Sequence, residues 1–294
     1  MPLTTTGAFP IDDRPADDEL DLFGLTHPGL VRTENQDQFL LCTVHPEVVI
    51  RSTSLPDPDA LAIRGQRLAT IMLVCDGVGG TAGGSTASRL ATEAVTHYVA
   101  SSLRRYHGID APDENDFTEA LRAAAIAAHD VVRVEAEARP EARQMATTLS
   151  LGVVLWPWLY VVQVGDSRCY VYGGGTLRQI TRDQTLAQDL VDQGIMPKER
   201  AHASPLSHVL SSAIGAPEAS PEVTRVEIRE RGTVILVCSD GLTKHVSDAE
   251  IAEHLKTMRT AEQVARALLQ LALDRGGSDN ITIVIGRALK REAA

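Results

Sequence analysis

The sequence predicts an α+β fold in which two antiparallel β-sheets pack on each other and helices lie outside. Strand-like apolar runs follow one another in pairs and groups, whereas a doubly wound parallel sheet needs strict alternation of strands and helices. Several of these runs are apolar at consecutive positions, which is typical of strands covered on both faces. These two observations favour stacked sheets over a single parallel sheet.

Nine segments have the length and composition of strands. They are residues 22–26, 38–44, 68–75, 148–155, 159–164, 169–172, 223–228, 233–238 and 281–285. Apolar residues recur at helical spacing in three further segments, residues 87–98, 117–131 and 264–271. Two of these helices lie between groups of strands, so we expect helices on the outside of the sheets.

Two connections are unusually long. Residues 45–67 contain three prolines, and the sequence leaves open whether they form a loop or an extended hairpin. Residues 184–214 begin with a short amphipathic piece and continue through Gly194, Pro197 and Pro205. Because long irregular connections often have a functional role, we predict that residues 184–214 form a lid, called the lid segment below.

Composition divides the chain into a tail and one domain. The N-terminal residues are rich in Pro, Asp and Gly, and the acidic residues up to Asp21 are opposed only by Arg14. Such a composition buries little apolar surface, so residues 1–20 are predicted to be a flexible acidic tail. Residues 21–290 are predicted to form a single domain.

Charge and hydropathy exclude several classes of partner. The 294-residue chain has a formal net charge of -11 and no run of basic residues, which argues against binding to nucleic acid or anionic lipid. No segment reaches the ~20 apolar residues of a membrane span, and the first residues lack the features of a signal peptide. We therefore expect a cytoplasmic monomer with no membrane partner.

Four short acidic turns are the strongest indication of function. They are Asp76-Gly-Val-Gly-Gly80, Val164-Gly-Asp-Ser-Arg168, Cys238-Ser-Asp-Gly-Leu242 and Gly277-Ser-Asp-Asn280, and each adjoins an apolar strand-like run. Carboxylates at the ends of separate strands can converge, and they repel one another unless cations lie between them. The pattern therefore indicates a metal site, and hard oxygen ligands favour magnesium or manganese.

Read in chain order, these motifs resemble those of the metal-dependent PP2C (PPM) family of serine/threonine phosphatases, bacterial type. The matching segments are Gly29-Leu-Val-Arg32-Thr-Glu-Asn35-Gln-Asp37, the four acidic turns, and Thr147-Thr148. Any one motif is weak, but their order over nearly the whole chain is specific. The resemblance implies a PP2C-like α-β-β-α sandwich and makes residues 21–290 a phosphatase domain.

The resemblance also implies a set of metal ligands. Asp76 matches the carboxylate that bridges two Mn²⁺ or Mg²⁺ ions, and the Gly77 carbonyl matches a ligand of the second ion. Asp240 and Asp279 match ligands of the first ion. Asp166 resembles the residue that, with Asp240, holds a third and weaker ion in bacterial relatives. Two ions about 3.5–4 Å apart can share a water and present hydroxide in line with the leaving alkoxide.

Two further residues carry roles over from the resemblance. Arg32 matches the residue that holds the substrate phosphate, for which a guanidinium offers paired donors in a fixed fork. Asp37 matches a residue that orients metal-bound water without ligating the ion itself. Asn35 is expected to fix the turn between them. The implied activity is hydrolysis of phosphoserine and phosphothreonine on proteins, opposing a serine/threonine kinase.

The chain departs from the family pattern at three positions. Val78 stands where eukaryotic relatives carry a histidine proposed as general acid, so the leaving oxygen must be protonated by water or another group. Gln36 replaces a glutamate near the metals, which predicts weaker binding of one ion. Ala146 replaces a glycine before Thr147, and we expect this change to affect packing alone.

Two alternatives to this function stay open. A pseudophosphatase that only binds phosphoproteins would lack metal aspartates, and here all of them are present. A phosphatase of the sporulation type would act on a regulatory phosphoserine of an anti-sigma-factor antagonist. Such enzymes usually carry sensor or membrane modules, and a stand-alone phosphatase is the simpler interpretation of this chain.

Overall fold

The computed structural model describes residues 14–47, 65–78, 82–106, 114–139, 145–201 and 204–291. It has two stacked five-stranded antiparallel sheets with helices on both outer faces, which confirms the predicted fold class. The strands are β1 (Leu20–His27), β2 (Gln38–Val44), β3 (Ala69–Cys75), β4 (Gly77–Val78), β5 (Ala146–Thr147), β6 (Leu149–Leu155), β7 (Trp158–Val164), β8 (Arg168–Gly173), β9 (Thr176–Gln179), β10 (Glu222–Glu227), β11 (Val234–Cys238) and β12 (Ile281–Ala288).

The helices divide between the two outer faces. They are α1 (Ala82–Tyr106), α2 (Glu114–Ala138), α3 (Leu186–Asp192), α4 (Lys198–Ala201), α5 (Asp240–Thr243), α6 (Asp248–Lys256) and α7 (Ala261–Asp274). Sheet I has the strand order β1-β12-β11-β8-β9 and is covered by α6 and α7. Sheet II has the order β10-β7-β6-β3-β2 and is covered by α1 and α2. No helix in the described residues is long and apolar enough to cross a membrane.

Side-chain alternation explains why β3 is apolar at every position. Ile71 and Leu73 face α1 and α2, whereas Met72 and Val74 face sheet I. Successive side chains of a strand point to opposite faces, so a strand between a helical layer and a second sheet must be apolar on both. Consecutive apolar residues in the sequence therefore predicted the layered core correctly.

The register of the strands brings the acidic turns to one edge of the sandwich. β3, β7 and β11 each end directly before an acidic turn, and β12 begins directly after one. β11 and β12 are antiparallel neighbours that pair Cys238 with Ile283, so the turn after one lies beside the turn before the other. Cys238 also pairs with Arg168, which brings the turn before β8 to the same edge.

All nine predicted strands and three predicted helices are present, but several short elements were not predicted. Strand β9 has four residues, and β4 and β5 have two each. Helix α6 has nine residues, with Ile251 and Leu255 buried. Short elements offer too few periods for a hydrophobic pattern to distinguish them from loops. Residues 48–64 of the long connection lie outside the described residues, so its form stays open.

The prediction of a flexible tail up to residue 20 is wrong for residues 14–20. Arg67 donates to Asp17 Oδ1 at 2.5 Å and to the Pro15 carbonyl at 2.7 Å. Glu19 pairs with Arg231 at 3.1 Å, and Leu20 already begins β1. The acidic residues of this segment have basic partners far away in the sequence, which local composition cannot reveal. Residues 1–13 lie outside the described residues.

Candidate metal centre

The backbone of Asp76 is fixed by the Thr147-Thr148 motif. Its carbonyl oxygen accepts hydrogen bonds from the Thr147 hydroxyl at 2.8 Å and from the Thr148 N–H at 2.9 Å. Its own N–H donates to the Thr148 hydroxyl at 3.0 Å. The Thr148 and Ser167 hydroxyls are 2.6 Å apart in a buried hydrogen bond. The motif therefore connects the turn at Asp76 to the turn that contains Asp166.

Gly77 lies where the backbone passes closest to two neighbouring segments. A Cβ at this position would lie 2.5 Å from the Gly84 carbonyl oxygen and 2.8 Å from the Gln36 carbonyl oxygen. Both distances are too short for any side chain, so this turn requires glycine. The role of the Gly77 carbonyl as a ligand stays a prediction.

Asp166 is positioned by a turn with buried amide partners. Gly165 before it has a φ of 98°, in the left-handed region that favours glycine. The Gly165 N–H donates to Gln184 Oε1 at 2.9 Å, and its carbonyl accepts from Gln163 Nε2 at 2.7 Å. These bonds satisfy the turn's backbone groups and give Asp166 a defined position.

Asp37 is buried at the first residue before β2. Its Oδ2 accepts hydrogen bonds from the Ser239 hydroxyl at 2.8 Å and the Thr282 hydroxyl at 2.6 Å. Its N–H donates to Asn35 Oδ1 at 3.1 Å, and the Asn35 amide donates to the Thr26 hydroxyl at 2.8 Å. The prediction that Asn35 fixes this turn is confirmed.

Asp279 and Asp240 are paired with cationic side chains. Arg32 donates from Nε to Asp279 Oδ1 at 2.8 Å and from Nη2 to Oδ2 at 3.0 Å. Lys244 Nζ lies 2.8 Å from Asp279 Oδ2 and 2.6 Å from Asp240 Oδ2. The sequence analysis did not predict Lys244 as a site residue. It lies at one corner of the site with four residues that were predicted, namely Arg32, Asp166, Asp240 and Asp279.

The loop that contains Arg32 is held by Asn280. The Asn280 side chain donates to the carbonyls of Pro28 at 3.0 Å and Glu34 at 2.9 Å, and it accepts the Gln36 N–H at 2.8 Å. One side-chain amide thus satisfies three backbone groups of residues 28–36. This explains structurally why Asp279 is followed by an asparagine.

Burial raises the pKa of three of the carboxyl groups. Burial is the largest cause at Asp76, and repulsion from Asp37 and Asp240 adds to it, so its pKa lies well above the ordinary 3.8. Burial raises the pKa of Asp37 to about 7, although Thr282 and Ser239 oppose the change. Burial and the charge of Asp240 raise the pKa of Asp166 to about 8. Negative charge on these groups is therefore unfavourable without a nearby cation.

Asp279 has the opposite behaviour. Burial alone would raise its pKa, but hydrogen bonds from Arg32 and Lys244 outweigh burial and lower it. Burial likewise opposes the charge of Lys244, and attraction to Asp240 and Asp279 outweighs it and raises the pKa of the ammonium. On this side of the site, the negative charges of the carboxylates are therefore balanced by the positive charges of Arg32 and Lys244.

The donor set fits hard divalent cations. Asp37 Oδ1 and Asp240 Oδ1 are buried and accept no hydrogen bond within the described part of the chain. Buried carboxylate oxygens of this kind are costly unless a cation or donor satisfies them. Among the described residues, no three acidic, histidine or cysteine side chains form a closed ligand group. Oxygen donors alone favour magnesium or manganese over softer ions.

Two clefts of about 660 Å³ each meet at this corner of the molecule. Arg32, Lys244 and Asp279 line both of them. The inner cleft also contains Asp76 and Gly77. The outer cleft is bordered by Gln188 and other residues of the lid segment, so the predicted lid does lie beside the site. Its predicted closing motion stays a prediction.

Sequence analysis identified the carboxylates but missed their supporting residues. Lys244 follows Asp240 by four positions, a spacing that commonly gives ion pairs on helices and could have indicated the contact. Thr282 and Gln184 lie within a strand and a loop, and no local pattern in the sequence distinguishes them. Val78 pairs with Ala146 between β4 and β5 and brings no ionisable group to the position where a general acid was considered.

Comparisons with known proteins identify the family to which this chain belongs. A family model for protein phosphatase 2C matches residues 50–275. The serine/threonine protein phosphatase PstP of Mycobacterium tuberculosis is 36% identical over 217 residues, which is 74% of this chain and 40% of the relative. The chain therefore spans less than half the length of that relative. The serine/threonine phosphatase stp of Listeria monocytogenes is 31% identical over 73% of this chain and 83% of its own length.

A solved structure shares the architecture. It is the catalytic domain of the serine/threonine protein phosphatase PstP in complex with two manganese ions, with a TM-score of 0.70 and 30% identity. The alignment covers 92% of this chain and 99% of that chain. Because the family model matches most of the sequence and the folds agree, the chain belongs to the protein phosphatase 2C family.

Proposed function

We propose that the protein is a metal-dependent serine/threonine phosphatase that hydrolyses phosphoserine and phosphothreonine on proteins. The observation that carries the proposal is the convergence of buried carboxylates beside an arginine-lined cleft, with burial and mutual repulsion raising the pKa of Asp76. Such a cluster is unfavourable alone and becomes favourable with divalent cations. Relatives that are named serine/threonine phosphatases support the same activity.

The proposed ligands follow the predicted set. Asp76 and the Gly77 carbonyl would hold one Mn²⁺ or Mg²⁺ ion, and Asp76, Asp240 and Asp279 would hold a second. Asp166 and Asp240 would hold a third and weaker ion. When bound, such ions supply Lewis acidity that lowers the pKa of a water and stabilises charge on phosphoryl oxygens.

The chain's own residues bind and orient the reactants. Arg32 offers a planar fork of donors to the phosphate, and its side chain is 48% exposed at the mouth of both clefts. Asp37 is held by Ser239 and Thr282 through one oxygen, so its other oxygen is left to accept a hydrogen bond from water. Asp37 is therefore proposed to orient that water.

The proposed reaction is direct attack of water on phosphorus. The bond between phosphorus and the serine or threonine oxygen breaks, and that oxygen takes up a proton. Val78 has no proton to give, so solvent in the open clefts is the proposed proton source. No side chain is required as nucleophile.

The direct test is release of phosphate from a phosphothreonine peptide with and without Mn²⁺. We expect release that depends on Mn²⁺ and stops when EDTA is added. A pseudophosphatase would instead bind the peptide without releasing phosphate. To test the sporulation-type alternative, a phosphoserine protein substrate is compared with short phosphothreonine peptides, and activity on the protein alone would favour that alternative.

A further inference from the structure

Lys244 is the only lysine that contacts the carboxylate cluster within the described residues. It follows α5 directly and lies one helical turn after Asp240, which places its side chain over that aspartate. Its ammonium contacts Asp240 Oδ2 at 2.6 Å and Asp279 Oδ2 at 2.8 Å. One positive charge thus joins carboxylates from two consecutive acidic turns of the sequence.

The environment of this ammonium differs from that of a surface ion pair. Its side chain is 25% exposed, and the side chains of Asp240 and Asp279 are 18% and 19% exposed. Its charge also acts on Asp166, the third carboxylate on this side of the site. Surface pairs are largely screened by water, whereas this pair is partly shielded from it.

A divalent ion at these carboxylates would meet the ammonium directly. The oxygens that Lys244 contacts belong to two of the proposed ligands, so an ion must share or displace those contacts. Two cations held by the same carboxylates also repel each other. Lys244 therefore opposes ion binding at this side, while it stabilises the carboxylates when no ion is present.

We infer that Lys244 is a tethered cation that competes with divalent ions for Asp166, Asp240 and Asp279. The inference rests on the proposed metal centre and adds to it a residue that sets metal affinity. Lys244 acts through the ligands and is a positioning residue. Its competition affects most strongly the weakest ion, because that ion has the fewest other ligands.

The test is calorimetric titration of metal-free protein with MnCl₂, comparing wild type with Lys244→Met and Lys244→Gln. Loss of the ammonium should tighten the weakest Mn²⁺ site by roughly three- to tenfold, the range expected for partly shielded ion pairs. The metal-free variants should also unfold at a lower temperature and gain more stability from Mn²⁺ than wild type does. Lys244→Arg keeps the charge and should bind Mn²⁺ like wild type.

Lys256→Met is the matched control, since Lys256 pairs with Glu253 on an exposed face of α6. It should leave Mn²⁺ binding unchanged. If Lys244 has a purely structural role, Mn²⁺ binding should be weaker or unchanged in both Lys244→Met and Lys244→Gln. Either result would overturn the inference and would leave the proposed function intact. A wild-type protein that binds no Mn²⁺ would overturn both.

Discussion

Asp76 and Asp279 belong to one carboxylate cluster, but their charges are balanced in opposite ways. Asp76 lies on the buried side with Asp37, where burial raises its pKa and the nearest charged groups are also acidic. Asp279 lies on the outer side, where Arg32 and Lys244 lower its pKa. The same residue type in the same site is thus unfavourable as an anion on one side and favourable on the other.

This difference separates two consequences of metal binding. On the buried side, an ion supplies positive charge that the chain does not provide, so binding should stabilise the fold strongly. On the outer side, Arg32 and Lys244 already supply positive charge to the carboxylates, and a metal ion would replace that charge. We therefore expect the carboxylates of the buried side to contribute most of the metal affinity. The cationic residues of the outer side should change that affinity by a smaller amount.

The largest expected effect is on turnover in Asp76→Asn and Asp279→Asn. Each substitution removes a proposed metal ligand, so the rate of phosphopeptide hydrolysis should fall at least about a thousandfold. Metal ions stabilise the transition state by several kcal/mol, and each loss of about 1.4 kcal/mol lowers the rate tenfold. The two variants should differ in the metal-free state. At pH 8, Asp76→Asn should raise the free energy of unfolding because it removes a buried carboxyl group whose negative charge is unfavourable. Asp279→Asn should lower the free energy of unfolding, because Arg32 loses its partner and Lys244 keeps, among the described residues, only Asp240.

These signs are measured by urea denaturation in EDTA. Asp274→Asn serves as control, because Asp274 is exposed at the end of α7 and accepts only from Gln270 among the described residues. It should change neither turnover nor stability. If Asp76→Asn and Asp279→Asn shift metal-free stability in the same direction, the distinction between the two sides is wrong.

The second expected effect is on the pH dependence of metal-free stability. Folding raises the pKa of Asp37 to about 7 and of Asp166 to about 8, from an ordinary 3.8. Groups with a raised folded pKa contribute stability that is fully present below the unfolded pKa and is lost as pH rises through the folded pKa. The stability should therefore fall from about pH 4 up to about pH 7 through Asp37, and up to about pH 8 through Asp166.

Denaturation curves in EDTA at pH 5.5, 7 and 8.5 measure this slope. Saturating Mn²⁺ should flatten it, because the ions then favour the ionised carboxylates. The lowered pKa of Asp279 acts only below its ordinary 3.8 and does not contribute in this range. A metal-free protein that becomes more stable from pH 5.5 to 8.5 would contradict the assignment of the buried side.

The third expected effect concerns Arg32 on the outer side. Arg32→Ala removes charge-assisted hydrogen bonds to phosphate, each worth about 1.5–3 kcal/mol, so KM for phosphopeptides should rise roughly ten- to a hundredfold. Arg32→Lys should recover only part of this loss, since an ammonium lacks the paired donors. Mn²⁺ affinity and KM are measured separately. An unchanged KM with collapsed Mn²⁺ affinity would instead give Arg32 a role in supporting the ligands.

Sequence patterns were informative where a candidate metal ligand directly follows an apolar strand-like run. Asp76, Asp166 and Asp240 each follow an apolar run that ends in the turn, so strand ends and candidate ligands could be predicted together. The resemblance to the phosphatase family, which the order of the motifs carries, then implied the α-β-β-α sandwich. The sequence could not show which charges are compensated, because that depends on Lys244 and Arg32 reaching Asp279 across distances of 35 and 247 residues.

Other omissions have equally physical causes. Helix α6 has a capping box between Ser247 and Glu250, a local signal that could have predicted it. The contacts of residues 14–20 depend on Arg67 and Arg231, and no local pattern encodes such pairs. The acidic composition therefore predicted a flexible tail for residues 14–20, although these residues form ion pairs and hydrogen bonds with the domain.

The smallest expected effect concerns the outer wall of the outer cleft. Helix α3 in the lid segment is attached by Arg182, which pairs with Asp189 at 2.7 Å and Asp192 at 2.5 Å. Gln188 of the same helix lines the cleft. Arg182→Ala should loosen this wall and lower phosphopeptide turnover about two- to fivefold, as expected for the loss of two partly exposed pairs. Hydrolysis of a small aryl phosphate should not change, because that substrate reaches the carboxylates without contacting α3.

The matched control for this last change is Arg133→Ala, which removes an exposed pair with Glu137 on α2, away from both clefts. It should leave both substrates unaffected. The two activities are compared at saturating Mn²⁺ so that metal affinity does not enter. Equal losses on both substrates would mean that Arg182 supports the carboxylate cluster itself, since Arg182 adjoins Asp183, which pairs with Arg168 beside Asp166. A loss confined to the phosphopeptide would show that the outer wall selects substrates while the carboxylate cluster performs the chemistry.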